Sequence, residues 1–165
     1  MKKLIILALS AIFALASCTK DANLDGKWNA PRDDSRPNDI AVSLIFKGNK
    51  LDLYICSYGW HFVGTYTYAD ETIKYKITDA YVALSDVTLN EDGKTIKYAS
   101  SGIDGIDHNT LKPNPGYEWY DLILYRDDLY EEYVEWLSSF SFEIGADGKA
   151  TSDILGMGGT FTKVN

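Results

Sequence analysis

In four successive runs between residues 42 and 77 the chain places an apolar side chain at every second position. Val42, Leu44 and Phe46 form the first run, and Leu51, Leu53 and Ile55 the second. Phe62, Tyr66 and Tyr68 form the third, with Gly64 in step, and Ile73, Tyr75 and Ile77 the fourth. Between them stand polar residues such as Ser43, Asp52, Lys74 and Lys76. A strand turns successive side chains to opposite faces, so this period predicts antiparallel strands with one buried and one wetted face. Gly48-Asn49 and Asp70-Glu71 separate neighbouring runs as turns, which makes two hairpins. Gly64 marks a bend or a close approach of backbone.

The rest of the chain fits around this meander. Gly26-Lys27-Trp28 opens a first strand, and residues 29–39, with Pro31 and Pro37, read as a polar loop. Cys56 falls on the outward face of its run or at the strand's end. Residues 81–89 are extended, Asn90 to Gly93 give a turn, and Thr95 to Tyr98 begin another strand. Residues 100–116 form the longest loop, a length that usually carries function or motion. A strand over Tyr117 to Tyr125 leads into a short helix near 128–138, with Asp128 as cap and Glu131 in capping-box spacing. Leu129, Tyr133 and Trp136 or Leu137 give that helix its apolar spacing. Phe140, Phe142 and Ile144 return to period two, Asp147-Gly148 turns, and Gly158 to Val164 form a closing strand.

The first seventeen residues do not belong to this pattern. Met1-Lys2-Lys3 is basic, Leu4 to Leu15 is apolar apart from Ser10, and small residues follow. The apolar run is shorter than the ~20 residues a membrane-spanning helix needs, and together these features read as a secretory signal. Leu15-Ala16-Ser17-Cys18 resembles the bacterial lipobox. The resemblance implies cleavage before Cys18, acylation of its thiol and amino group, and an anchor of several acyl chains in the outer membrane. The alternative is an ordinary signal cut near Ala16 or Ser17. Thr19-Lys20-Asp21 resembles the charged tag that sends some Gram-negative lipoproteins to the cell surface. The expected organisation is a signal peptide over 1–17, a tether over 18–23 and one domain over 24–165.

Three weak motifs in order give that domain a family likeness. The Gly-x-Trp opening at Gly26, the Gly64-x-Tyr66-x-Tyr68 segment with its Ile-x-Tyr partner, and the closing Gly159-x-Phe161-x-Lys163 strand resemble the lipocalin-like domains behind bacterial lipoprotein leaders. That resemblance implies an all-β antiparallel meander closing into a barrel of about eight strands, with Trp28 packed across the closed end. True lipocalins add an Arg that stacks on this Trp and a helix after the last strand. Here no Arg follows Arg126 and the helix comes earlier, so 99–139 reads as an insertion or a decorated barrel edge.

Composition narrows function by exclusion. The formal net charge is −8, and the leader holds two lysines and no acids, so the remainder stands at −10. Coulomb repulsion at such a surface disfavours nucleic acid and anionic head groups. With Cys18 acylated only Cys56 remains, which excludes an intrachain disulfide and paired-Cys metal sites. The two histidines, His61 and His108, lack any ordered nucleophile context, and adjacent carboxylates such as Asp70-Glu71 read as solvated turns. Asp104 to Asn109 offers oxygen ligands in a glycine loop without the spacing of a calcium loop. Cys56, with no cation nearby, reads as a packed thiol. No catalytic residue, metal or cofactor is therefore expected.

Aromatic side chains remain: the chain has twelve Tyr and four Trp. Aromatic faces bind flat apolar molecules and sugars by stacking. The candidate ligand residues are Trp60, Tyr66, Tyr68 and Trp119, with core packing as the alternative. The expectation is a monomeric, lipid-anchored, non-catalytic envelope module for a small apolar molecule or glycan. The competing readings are a filled barrel that binds a protein partner, and an enzyme that sets a histidine against a carboxylate or Ser.

Overall fold

The computed structural model describes residues 23–33, 35–93, 96–100, 103–122, 127–154 and 159–164. Cys18, the leader and all of the tether except Asn23 lie outside them. Each alternating run becomes a strand. β1 spans Gly26–Pro31, β2 Ile40–Lys47, β3 Lys50–Ile55, β4 Trp60–Ala69 and β5 Thr72–Leu84. Then come β6 (Thr88–Leu89), β7 (Ile96–Tyr98) and β8 (Glu118–Asp121). The helix α1 (Asp127–Leu137) precedes β9 (Ser139–Ser141), β10 (Glu143–Ile144), β11 (Lys149–Ser152) and β12 (Gly159–Val164). The side chains of Asp128 and Leu129, expected to cap and anchor α1, lie outside the described residues.

Neighbouring strands pair antiparallel, in registers that put the apolar sets together. Leu44 faces Leu53, Leu53 faces Phe62, and Phe46 faces Leu51. All five side chains are buried, as are Ile55, Ile73, Phe142 and Phe161. Gly64 sits where the β4–β5 register shifts, and a Cβ there would lie 2.1 Å from the Lys76 carbonyl oxygen. The glycine is required by close backbone approach.

Trp28 is 3 % exposed. Its Nε1 donates to the Leu24 carbonyl at 2.8 Å, and its ring meets Phe142 edge-on at 5.4 Å. Lys163, its register partner on β12, holds its ammonium 5.3 Å from the ring centroid. A lysine on β12 thus stands over the Trp28 ring at cation–π distance.

The sheet departs from the expected closed barrel. Its order is β10-β11-β12-β1-β2-β3-β4-β5-β8, an open path with β9 attached to β5, and β6–β7 form a separate ladder. The cause is the length of β5, whose two ends take different partners. Tyr81 to Leu84 pair with β8, and Thr72 to Lys74 with β9. The short run 139–144 lies against β5 through β9 and against β11 through β10, with the buried Phe142 between the two ladders. No single strand carries the ladder from β5 to β11.

Candidate functional site

At the β1–β2 end of the sheet a cavity of about 400 Å³ opens between five segments. Ala30 and Pro31 supply one wall. The β1–β2 register shifts between them, and the β1–β12 ladder has already ended at Asn29, so a proline without N–H is tolerated there. The chain then loops out and returns through the Arg32 amide, which donates to the Asp39 carbonyl at 2.7 Å. Ala41 and Val42 of β2 form the second wall, and Ile154, Gly159 and Phe161 the third. Val42, Ile154 and Phe161 belong to the main core, so the floor of the cavity is the core itself.

The mouth is shaped by a 3₁₀ turn, Cys56–Tyr58, that ends in Gly59 with φ +72°. A left-handed residue is what reverses the chain into β4 here, and glycine adopts it without cost. The turn presents Ser57 and Tyr58 to the cavity, and Tyr58 is 47 % exposed. Ile103 lines the cavity too and is 54 % exposed. Arg32 completes the rim. Its guanidinium lies 3.6 Å from Asp39 and 3.6 Å from Asp104, and His108 Nδ1 lies 3.6 Å from the same Asp39 carboxylate. Behind this rim Arg36 bridges Asp33 and Asp39 at 2.9 and 3.3 Å. Hydrogen bonds from Ser35 and Arg36 lower the Asp33 carboxyl to about 2.

Trp60, Tyr66, Tyr68 and Trp119 are not among the described residues that line this cavity. Tyr66 meets Phe46 at 4.9 Å, and the Tyr68 hydroxyl donates to the Phe142 carbonyl at 2.9 Å; both rings pack on the core. Trp60 packs on the core as well, and joins Tyr58 at 5.2 Å and Tyr133 of α1 at 4.2 Å. Tyr133 in turn meets Trp136, which is 52 % exposed. Trp60 is thus the second ring in an aromatic strip that starts at the cavity mouth and runs onto the helix.

Trp119 lies on the other face of the sheet. It packs 5.6 Å from His61 and 6.5 Å from Tyr81. His61 stacks on Tyr54 at 4.0 Å, and its Nε2 is 3.1 Å from the Asp52 carboxylate. Trp60 and His61 are chain neighbours, so the pleat sends them apart. The two tryptophans are not brought together.

Two further candidates are placed by the loops. Cys56 follows β3 directly, at the strand's end and on the side of Ile45 and Tyr54, where it is fully buried against Ile40 and Leu111, and burial pushes its thiol up to about 12. The Asp107 carboxylate accepts from the Asn109 and Thr110 amides at 2.8 and 3.2 Å, which lowers its pKa and ties it to its own turn. Among the described residues no group of three or more His, Cys, Asp or Glu converges on a point where a metal ion could sit.

Tyr58 is one of the twelve tyrosines but not one of the candidate ligand residues, and Arg32 does not stand out in its polar loop. The one available signal is a cation directly after a strand-ending proline in an acidic chain, and Arg36, beside Pro37, shares the loop with it. Comparisons with protein families, with characterised proteins and with solved structures found no match.

Proposed function

We propose that this chain is a non-catalytic envelope module that takes a small ligand, an apolar molecule or a glycan, into the cavity between β1, β2 and β12. The cavity carries the proposal. About 400 Å³ with apolar walls and one charged residue at the rim falls in the range of small-molecule sites, typically 300–1,000 Å³. The proposal includes the lipobox reading: a signal peptide over 1–17, acylated Cys18 in the outer membrane, and a monomeric domain held off the membrane by the tether. It also includes a lipocalin-like barrel of about eight strands. Attachment of the one run 139–144 to both β5 and β11 supports that reading, with β9 and β10 as two halves of a closing strand.

A second reading follows from the exposed Trp136 at the end of the aromatic strip. There the strip docks a protein partner on an otherwise filled scaffold.

The test is a screen of the full chain against neutral apolar dyes and oligosaccharides, with Ala41→Trp as the variant that fills the cavity. Binding abolished by Ala41→Trp supports the cavity. Binding by a protein partner that is lost in Trp136→Ala and kept in Ala41→Trp supports the second reading instead. Mass spectrometry of the chain from its native membrane tests the anchor, and an unmodified Cys18 would remove it.

A further inference from the structure

We infer that the cavity mouth selects a neutral carbohydrate, with Tyr58 stacked on the apolar face of a sugar ring and Arg32, Asp39 and Asp104 hydrogen-bonding its hydroxyls. This rests on the cavity being a ligand site and adds the class of ligand.

Charge argues first. Of the described lining residues only Arg32 is charged, and it faces two carboxylates, each at 3.6 Å. Arg36 and its partner Asp33 join them through Asp39, and with His108 neutral these two guanidiniums and three carboxylates sum to −1, in a chain whose formal charge is −8. An anionic head group brought to Arg32 would meet both carboxylates within a few ångströms, and a cation would meet the guanidinium. A neutral ligand suffers neither repulsion. A wholly apolar ligand closing the mouth would strip water from these charges and return no hydrogen bonds, which is costly. Sugar hydroxyls avoid that loss, because each donates and accepts at once. At 3.6 Å the Arg32 pairs are longer than hydrogen bonds, so a hydroxyl has room to bridge guanidinium and carboxylate.

The aromatic ring argues second. Gly59 turns Tyr58 out at the rim, and Trp60 supports it in a stacked contact at 5.2 Å. Tyr58 is still 47 % exposed while lining the cavity. A ring already held by a neighbour loses little further freedom when a sugar stacks on it. A carbohydrate is the ligand that presents an apolar C–H face and a hydroxyl edge together, which is what this rim offers in reverse.

The experiment uses the full chain in a zwitterionic detergent without sugar head groups. Hydrogen–deuterium exchange of the segments around Arg32 and Tyr58 is followed with three probe sets. These are neutral gluco-, manno- and xylo-hexasaccharides, acidic oligogalacturonates, and the neutral apolar dye 1-aminoanthracene. The expected result is protection by at least one neutral hexasaccharide and not by oligogalacturonates. Its Kd should weaken at least about tenfold in Tyr58→Ala and hold within about threefold in Tyr58→Phe. Protection by the dye alone overturns the carbohydrate assignment and leaves the cavity reading standing. Protection by no probe overturns both. Equal protection by acidic and neutral sugars, or unchanged binding in Tyr58→Ala, also overturns the assignment.

Discussion

Replacing Gly64 with alanine tests the packing of the sheet at its tightest point. The added Cβ would lie 2.1 Å from the Lys76 carbonyl oxygen, 2.9 Å from that carbonyl carbon and 2.9 Å from Tyr75 Cε2. A relaxed carbon–oxygen contact needs about 3.3 Å, so β4 and β5 must part by about 1 Å at their register shift. Neither obstacle is the free end of a flexible side chain. Lys76 O is backbone, and Tyr75 is 4 % exposed with its hydroxyl donating to the Leu51 carbonyl at 3.0 Å. Overpacking of this kind costs about 1–3 kcal/mol, and a weakened ladder bond adds about 1 kcal/mol. The stiffer unfolded chain of the alanine variant offsets roughly 0.4–1 kcal/mol. The net expectation is a loss of about 1–3.5 kcal/mol. At roughly 4 °C per kcal/mol for a domain of this size, Tm falls by about 4–14 °C. Urea unfolding followed by tryptophan fluorescence measures the free energy, and calorimetry the Tm. Gly148→Ala is the comparison, because that glycine has φ +77° with no atom within 4 Å of a new Cβ. It tests conformational strain alone. If Gly64→Ala unfolds at the same urea concentration as wild type, or is milder than Gly148→Ala, the close-approach argument fails.

Other expectations follow from single residues. Burial holds the Cys56 thiol up at about 12 against an ordinary value of 9.0. The unfolded chain therefore ionises first, and stability is lost as pH rises from 9 toward 12, at about 1.4 kcal/mol per unit. Cys56→Ala should flatten the fall between pH 9 and 10 in urea titrations; an equally steep fall would refute the assignment. Above pH 10 Tyr54, raised by burial to about 12, adds to the wild-type slope. At the acid end the Asp153 carboxyl is lowered by the Ser141 amide, which donates to it at 2.7 Å. The stability it contributes is present above the ordinary carboxylate value and is lost as pH falls through the depressed one, so Asp153→Asn should weaken the acid dependence of unfolding below pH 4. Trp28→Phe removes the hydrogen bond to Leu24 O and part of a buried ring, for a loss of about 2–4 kcal/mol by urea midpoint. Lys163→Met should cost under about 1 kcal/mol, since it removes a cation–π contact and keeps the apolar stem.

How far the sequence could reach follows from which of these features are local. Alternation is local: once Leu44, Leu53 and Phe62 face one side, the pleat fixes their neighbours, and the registers that align them are the ones that bury the set. Trp28, Gly64 and Lys163 announce themselves for the same reason, each through its place in a strand. Trp119 does not. It sits in a four-residue strand whose facing depends on a one-residue choice of register against β5, and Ala83 rather than Val82 is its partner. That choice sends it to the outer face with His61 and away from Trp60. The split partnership of β5 is likewise invisible: the sequence reads as one run through Ile77 and a separate extended stretch from Tyr81, whereas the structure joins them in a thirteen-residue strand with two partners. The cavity rim is the extreme case: Arg32 follows β1, Tyr58 follows β3, and Asp104 comes from the long loop before β8. Their types are unremarkable one by one, and only the return of that loop to the β1–β2 end makes a loosely paired cation, two acids and an exposed ring into one surface. The sequence can therefore locate the scaffold and its aromatic supply, while the make-up of the rim depends on contacts between segments far apart in the chain.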